Sequence, residues 1–88
     1  MTGVALFYIK INYSTNMHIG KRIREKLDEH GHSASWLAEQ IPCERSNVYN
    51  IFRRESINVD LLATLSTILE HDFFYDLSEE WKRQRING

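Results

Sequence analysis

Between Glu44 and Arg53 the chain reads "ERSNVYNIFR", and seven of these ten side chains hydrogen-bond or ionise: Glu44, Arg45, Ser46, Asn47, Tyr49, Asn50 and Arg53. The set is poor in catalytic chemistry. It holds no cysteine beside a designated base and no HExxH pair, and no glycine-rich phosphate loop occurs in the chain. It is rich in recognition chemistry. An arginine guanidinium pairs bidentately with guanine, an asparagine amide with adenine, and a glutamate accepts from cytosine N4. Serine and tyrosine hydroxyls suit phosphates, and a tyrosine ring also packs on a thymine methyl.

Such residues can act together only if one element holds them on one side. Val48, Ile51 and Phe52 are the apolar residues of the same stretch, and their i, i+3, i+4 spacing makes one buried helical stripe. The polar side chains then face outward. Immediately before this helix stands Pro42, the only proline in the chain. The residue ahead of a proline is pushed away from helical angles, so the preceding helix should end near Gln40. That helix has Ser33 as its N-cap and Trp36, Leu37 and Ile41 as its apolar stripe. With Ala38 small enough to sit at a helix crossing, the two segments form a helix, a tight turn and a second helix.

Helical periodicity extends to both sides. Asn16 is placed to cap a first helix carrying Ile19, Ile23 and Leu27, which Gly31 would stop in a left-handed conformation. Asn58 is placed to cap a fourth, where Leu61, Leu62, Leu65, Ile68 and Leu69 trace a core face. Ser78 would cap a last short helix through Trp81, with Phe73, Phe74 and Leu77 leading to it. Residues 1–16 differ: Ala5, Phe7, Ile9, Ile11 and Tyr13 alternate in "VALFYIKINY" as in a β-strand. The run is too short to span a membrane and lacks the basic start and cleavage site of a signal peptide. It is either an extended arm that pairs with the same arm of a second copy or a leader ahead of Met17.

The 88 residues make one domain, and a hydrophobic content of 42% with 26% charged residues excludes a disordered chain. A single cysteine with no secretory signature points to a reducing, cytoplasmic setting. The net charge of −1 carries no polyanion signal by itself. Its distribution is uneven: residues 17–58 hold seven bases against six acids, residues 59–80 six acids and no base, and residues 81–88 three bases. Any electrostatic footprint for nucleic acid is therefore local.

The segments "LAEQI" (Leu37 to Ile41) and "ERSNVYNI" (Glu44 to Ile51) resemble the helix-turn-helix of the phage lambda repressor/Cro-like family of bacterial and phage regulators. The likeness extends loosely through "IGKRIREKL" and "LLATLSTIL", over residues 19–73. It implies an all-α fold of four or five helices, with a DNA-binding domain over residues 17–77 and a tail over 78–88. It also implies sequence-specific binding of double-stranded DNA by a homodimer acting as a transcriptional repressor, with no enzymatic activity and no cofactor. By the same resemblance Glu44, Arg45, Ser46, Asn47, Tyr49, Asn50 and Arg53 would face bases or adjoining phosphates, and Ser33, Ser35 and Arg54 would touch the DNA backbone. Three departures stand out. Pro42 replaces the usual turn glycine, Ala34 replaces the usual phosphate-binding glutamine, and Phe52-Arg53-Arg54 replaces the usual acid-x-glycine.

Other readings compete at particular residues. Lys21, Arg22, Arg24 and Lys26 are interleaved with Glu25, Asp28 and Glu29, which suits a salt-bridged surface better than a phosphate clamp. Trp36 fits packing between neighbouring helices, and Trp81 a cover for the core or for a dimer partner. His30, His32, Cys43 and His71 match no zinc spacing. The acidic stretch over residues 59–80 favours an alternative function, a protein-interaction module such as an antitoxin or regulatory subunit. The arm and the "FFYDLSEEW" tail are the candidate dimer surfaces.

Overall fold

The computed structural model describes residues 17–87, so the readings made for residues 1–16 lie outside it. The described residues form five helices and no strand: α1 (Ile19–Glu29), α2 (Ala34–Gln40), α3 (Arg45–Arg53), α4 (Val59–Ile68) and α5 (Phe73–Asn87). The all-α expectation holds for them. None of these helices is long and apolar enough to cross a membrane.

Each boundary has a local cause. His18 caps α1: its Nδ1 accepts the Lys21 N–H at 3.2 Å, the role expected of Asn16. Gly31, at φ +74°, ends α1, and the His32 N–H closes onto the Leu27 carbonyl at 3.1 Å. Asn58 caps α4 as its position suggested, its Oδ1 accepting from the Leu61 N–H at 2.7 Å. α4 stops without a glycine, because Glu70 itself adopts φ +49°.

The last helix is longer than expected and starts earlier. Asp72 Oδ1 accepts the Tyr75 N–H at 3.0 Å, so the helix opens at Phe73. Ser78 consequently lies inside α5, and the helix runs on past Trp81 to Asn87. Phe73, expected in a bridging segment, is fully buried at the first turn of α5.

One apolar cluster ties the helices together. Ile19, Ile23 and Leu27 of α1, Leu37 and Ala38 of α2, and Val48, Ile51 and Phe52 of α3 meet Leu62, Leu65, Leu69 and Phe73. Removing such a side chain from water stabilises by roughly 1.5–3 kcal/mol for a leucine, isoleucine or phenylalanine. α3 packs on both α1 and α2, whereas α4 packs chiefly on α5.

The start of α1 is joined directly to the end of α3. The Ile19 and Gly20 N–H groups, which have no partner within their own helix, donate to the Glu55 and Arg54 carbonyls at 3.1 and 2.9 Å. The approach requires glycine. A Cβ at position 20 would lie 2.4 Å from both the Ile51 and Phe52 carbonyl oxygens.

A polar contact closes α5 onto α1. Asp76 Oδ2 accepts from Arg22 Nε at 3.0 Å and lies 2.6 Å from His71 Nε2, with the carboxylate side chain only 11% exposed. Burial pushes the Asp76 pKa up, but the hydrogen bonds from His71 and Arg22 outweigh it and hold the carboxyl below its ordinary value. The resulting stabilisation is complete above about pH 4, where an unfolded aspartate is ionised, and is lost as pH falls through the lowered native value. Asp76→Asn should therefore cost about 1.5–3 kcal/mol at neutral pH, the range for a hydrogen bond to a charged group. Denaturant unfolding at pH 7 and pH 3 checks this: the gap between wild type and variant should shrink in acid.

Candidate nucleic-acid interface

The turn between α2 and α3 passes through Pro42 with no residue in the left-handed region. Ile41 sits at φ −108°, ψ 32° and Glu44 at φ −80°, ψ 151°, and the only positive φ values among the described residues are at Gly31 and Glu70. The left-handed residue that a glycine would supply is not needed here. After the proline the Cys43 N–H donates to the Ala38 carbonyl at 3.0 Å, folding the turn back over the end of α2. Half-buried Ile41 and Cys43 pack against the core from the turn.

α3 has one buried and one open side. Val48 is fully buried and Ile51 and Phe52 nearly so, held against α1 and α2. All seven expected reading residues, Glu44, Arg45, Ser46, Asn47, Tyr49, Asn50 and Arg53, are exposed, as are Ser33, Ser35 and Arg54. The helix presents them on a scaffold fixed from behind.

Several of these side chains are already oriented. Arg45 Nη1 donates to Ser35 Oγ at 3.4 Å, linking the two helices across the open face. Ser33 Oγ accepts the Trp36 N–H at 3.1 Å as the α2 cap, so its hydroxyl is anchored and retains a hydrogen to donate. Arg53 Nη2 donates to Asn50 Oδ1. Asn50 must release that bond before its amide can engage a base edge through both its oxygen and its nitrogen. The Tyr49 ring stands edge-on to Phe52, centroids 5.8 Å apart, which steadies a side chain still 41% exposed. Glu44 makes no capping bond with its side chain, and its carboxylate enters no ion pair among the described residues.

The basic run of α1 divides into two pairs. Arg22 bonds Glu25 and Asp76, and Lys26 bonds Glu29 at 2.9 Å, as a salt-bridged surface requires. Lys21 and Arg24 enter no ion pair among the described residues. Arg24 instead lies over the Phe52 ring, 5.3 Å from its centroid, beside the end of α3. It thereby adds a cation next to Arg53 and Arg54. Spacing could not separate the two pairs, because an acid stands four residues after both Lys21 and Arg24.

The other aromatic and imidazole groups are engaged elsewhere. His32 stacks on half-buried Trp36 at 3.6 Å between centroids, and His71 meets Phe73 edge-on as well as bonding Asp76. The chain matches no protein-family model, no curated protein and no solved structure. What the interface does rests on its own side chains.

Proposed function

We propose that the protein binds double-stranded DNA sequence-specifically as a homodimer. α2 and α3 act as a helix-turn-helix, and α3 enters the major groove. The observation that carries this reading is the two-sided character of α3: Val48, Ile51 and Phe52 lock one side into the core, while Arg45, Asn47, Asn50 and Arg53 stand in solvent on the other. Arg45 and Asn50 have the donor–acceptor geometry of guanine and adenine readers, and Ser33, Ser35, Arg24 and Arg54 flank them as phosphate contacts. A two-fold dimer sets two such helices one helical turn of DNA apart, about 34 Å. Occlusion of a promoter is sufficient for repression, and the reading assigns the chain no chemical step and no cofactor.

A protein-interaction role draws support from the exposed Phe74, Tyr75 and Trp81 of α5. The acidic stretch supports it less, because Asp76, Glu79 and Glu80 are already paired with Arg22, Lys82 and Arg83.

Fluorescence anisotropy with a labelled random duplex separates the two readings. A protein contacting about six phosphates loses roughly a thousandfold in affinity between 50 and 200 mM salt. That steep loss is the expected result. No measurable binding to duplex at the low-salt end would contradict DNA binding and leave the protein-interaction reading.

A further inference from the structure

Asn50 and Arg53 stand three residues apart on α3, and such residues are neighbours on a helix surface. Both are exposed, and the turn that carries them is fixed from behind by nearly buried Ile51 and Phe52. Arg53 Nη2 donates to Asn50 Oδ1. Arg53 enters no ion pair among the described residues. The charges beside it are positive: Arg54 follows it in the chain, and Arg24 lies over the Phe52 ring, 5.3 Å from the centroid. Repulsion from these cations favours the guanidinium where it is, against the negative end of the amide dipole.

An asparagine amide by itself offers a base one donor and one acceptor, the pattern that adenine complements with N7 and its N6 amino group. With the guanidinium at Oδ1 that pattern changes. The oxygen keeps a second lone pair, but an adenine amino group reaching it would come up beside the N–H groups of Arg53, donor against donor. What the pair offers a base edge is the Asn50 amide N–H groups and the unused N–H groups of Arg53, which has five donors and no acceptor. Guanine alone among the four bases presents two acceptors, O6 and N7, in the major groove. We infer that Asn50 and Arg53 act as one donor pair that reads guanine, so that Arg53 sets the base Asn50 selects. The inference rests on the major-groove reading proposed above and narrows it: each operator half-site carries one guanine read by Arg45 at the start of α3 and another read by the Asn50–Arg53 pair near its end.

The test is selection of bound duplexes from a random pool by wild type, Asn50→Ala and Arg53→Met. Anisotropy titrations then compare cognate duplexes carrying guanine or adenine at the position where Asn50→Ala loses preference. Methionine retains an unbranched stem and removes every donor. Wild type should enrich guanine at that position and prefer it over adenine about fivefold or more, the lower end for a bidentate contact. Arg53→Met frees Oδ1 and should reverse the preference to adenine there, with overall affinity lowered and the rest of the consensus and the helical circular dichroism unchanged. Adenine enriched by the wild type overturns the inference, as does a guanine preference that survives Arg53→Met or vanishes without giving way to adenine. So does an Asn50→Ala consensus identical to that of the wild type. A wild-type pool that stays random contradicts DNA recognition itself, and the inference falls with it; wherever a consensus emerges, the pairing alone is judged.

Discussion

Gly20→Ala should destabilise the protein although alanine is the better helix former, and it should weaken DNA binding by displacing α3. In an ordinary helix the exchange of glycine for alanine stabilises by up to about 1 kcal/mol. Here the added Cβ would stand 2.4 Å from the Ile51 and Phe52 carbonyl oxygens, which are backbone atoms of α3 and cannot rotate aside. Overpacking of this kind costs about 1–3 kcal/mol and occasionally more. Relief would require α1 to withdraw from α3, breaking the 2.9 Å bond from the Gly20 N–H to the Arg54 carbonyl. The steric cost therefore exceeds the propensity gain. For a domain of this size each kcal/mol lowers the melting temperature by about 4–8 °C, so a drop of roughly 10 °C is expected by calorimetry. Gly31→Ala is the comparison. Nothing lies within 4 Å of its Cβ, and its only penalty is the φ of +74°, about 1–2 kcal/mol. A Gly20→Ala variant that melts at or above the wild-type temperature would show that α1 and α3 do not approach as closely as described.

The second large effect is expected at Arg45. Its guanidinium is at the beginning of α3, exposed and braced by Ser35 Oγ, with no ion pair among the described residues. Loss of one bidentate base contact costs about 1–3 kcal/mol of discrimination, or about 5- to 150-fold in affinity for the cognate site. Arg45→Ala should show that loss on cognate duplex, relax the preference at a single base position and leave binding to scrambled DNA nearly unchanged. Arg54→Ala, at the C-terminal end of α3, should weaken both duplexes alike and reduce the salt slope by about one. Anisotropy titrations of the two variants against the two duplexes make the comparison. Equal losses on both duplexes for Arg45→Ala would remove Arg45 from base reading and place it among the phosphate contacts.

The helices were legible in the sequence where their signal is local. Ser33 and Asn58 announce their caps by residue type, Gly31 announces a stop, and the spacing of Val48, Ile51 and Phe52 fixes which side of α3 is hidden. Pro42 marked the end of α2 correctly, but only backbone angles could show that the turn needs no left-handed residue. Boundaries failed where an uncommon residue does a common task. His18 caps α1 through a ring nitrogen, and Glu70 adopts the conformation usually left to glycine, which concealed the end of α4. The cap expected at Ser78 lies well past the true one at Asp72, so α5 is longer than its sequence signal suggests. Tertiary contacts were the least legible. Gly20 carries no sign in the sequence that α3 will lie against it. Arg22 and Arg24 stand two positions apart in one basic run, yet one is tied to Asp76 fifty-four residues away and the other lies on Phe52.

Selection of bound sequences from a random pool of duplex DNA tests the central claim most directly. The face of α3 outlined by Arg45, Asn47, Asn50 and Arg53, carried twice by a two-fold dimer, predicts enrichment of an inverted repeat with half-sites centred about 10–10.5 base pairs apart. A pool that remains random after repeated rounds at low salt would contradict it.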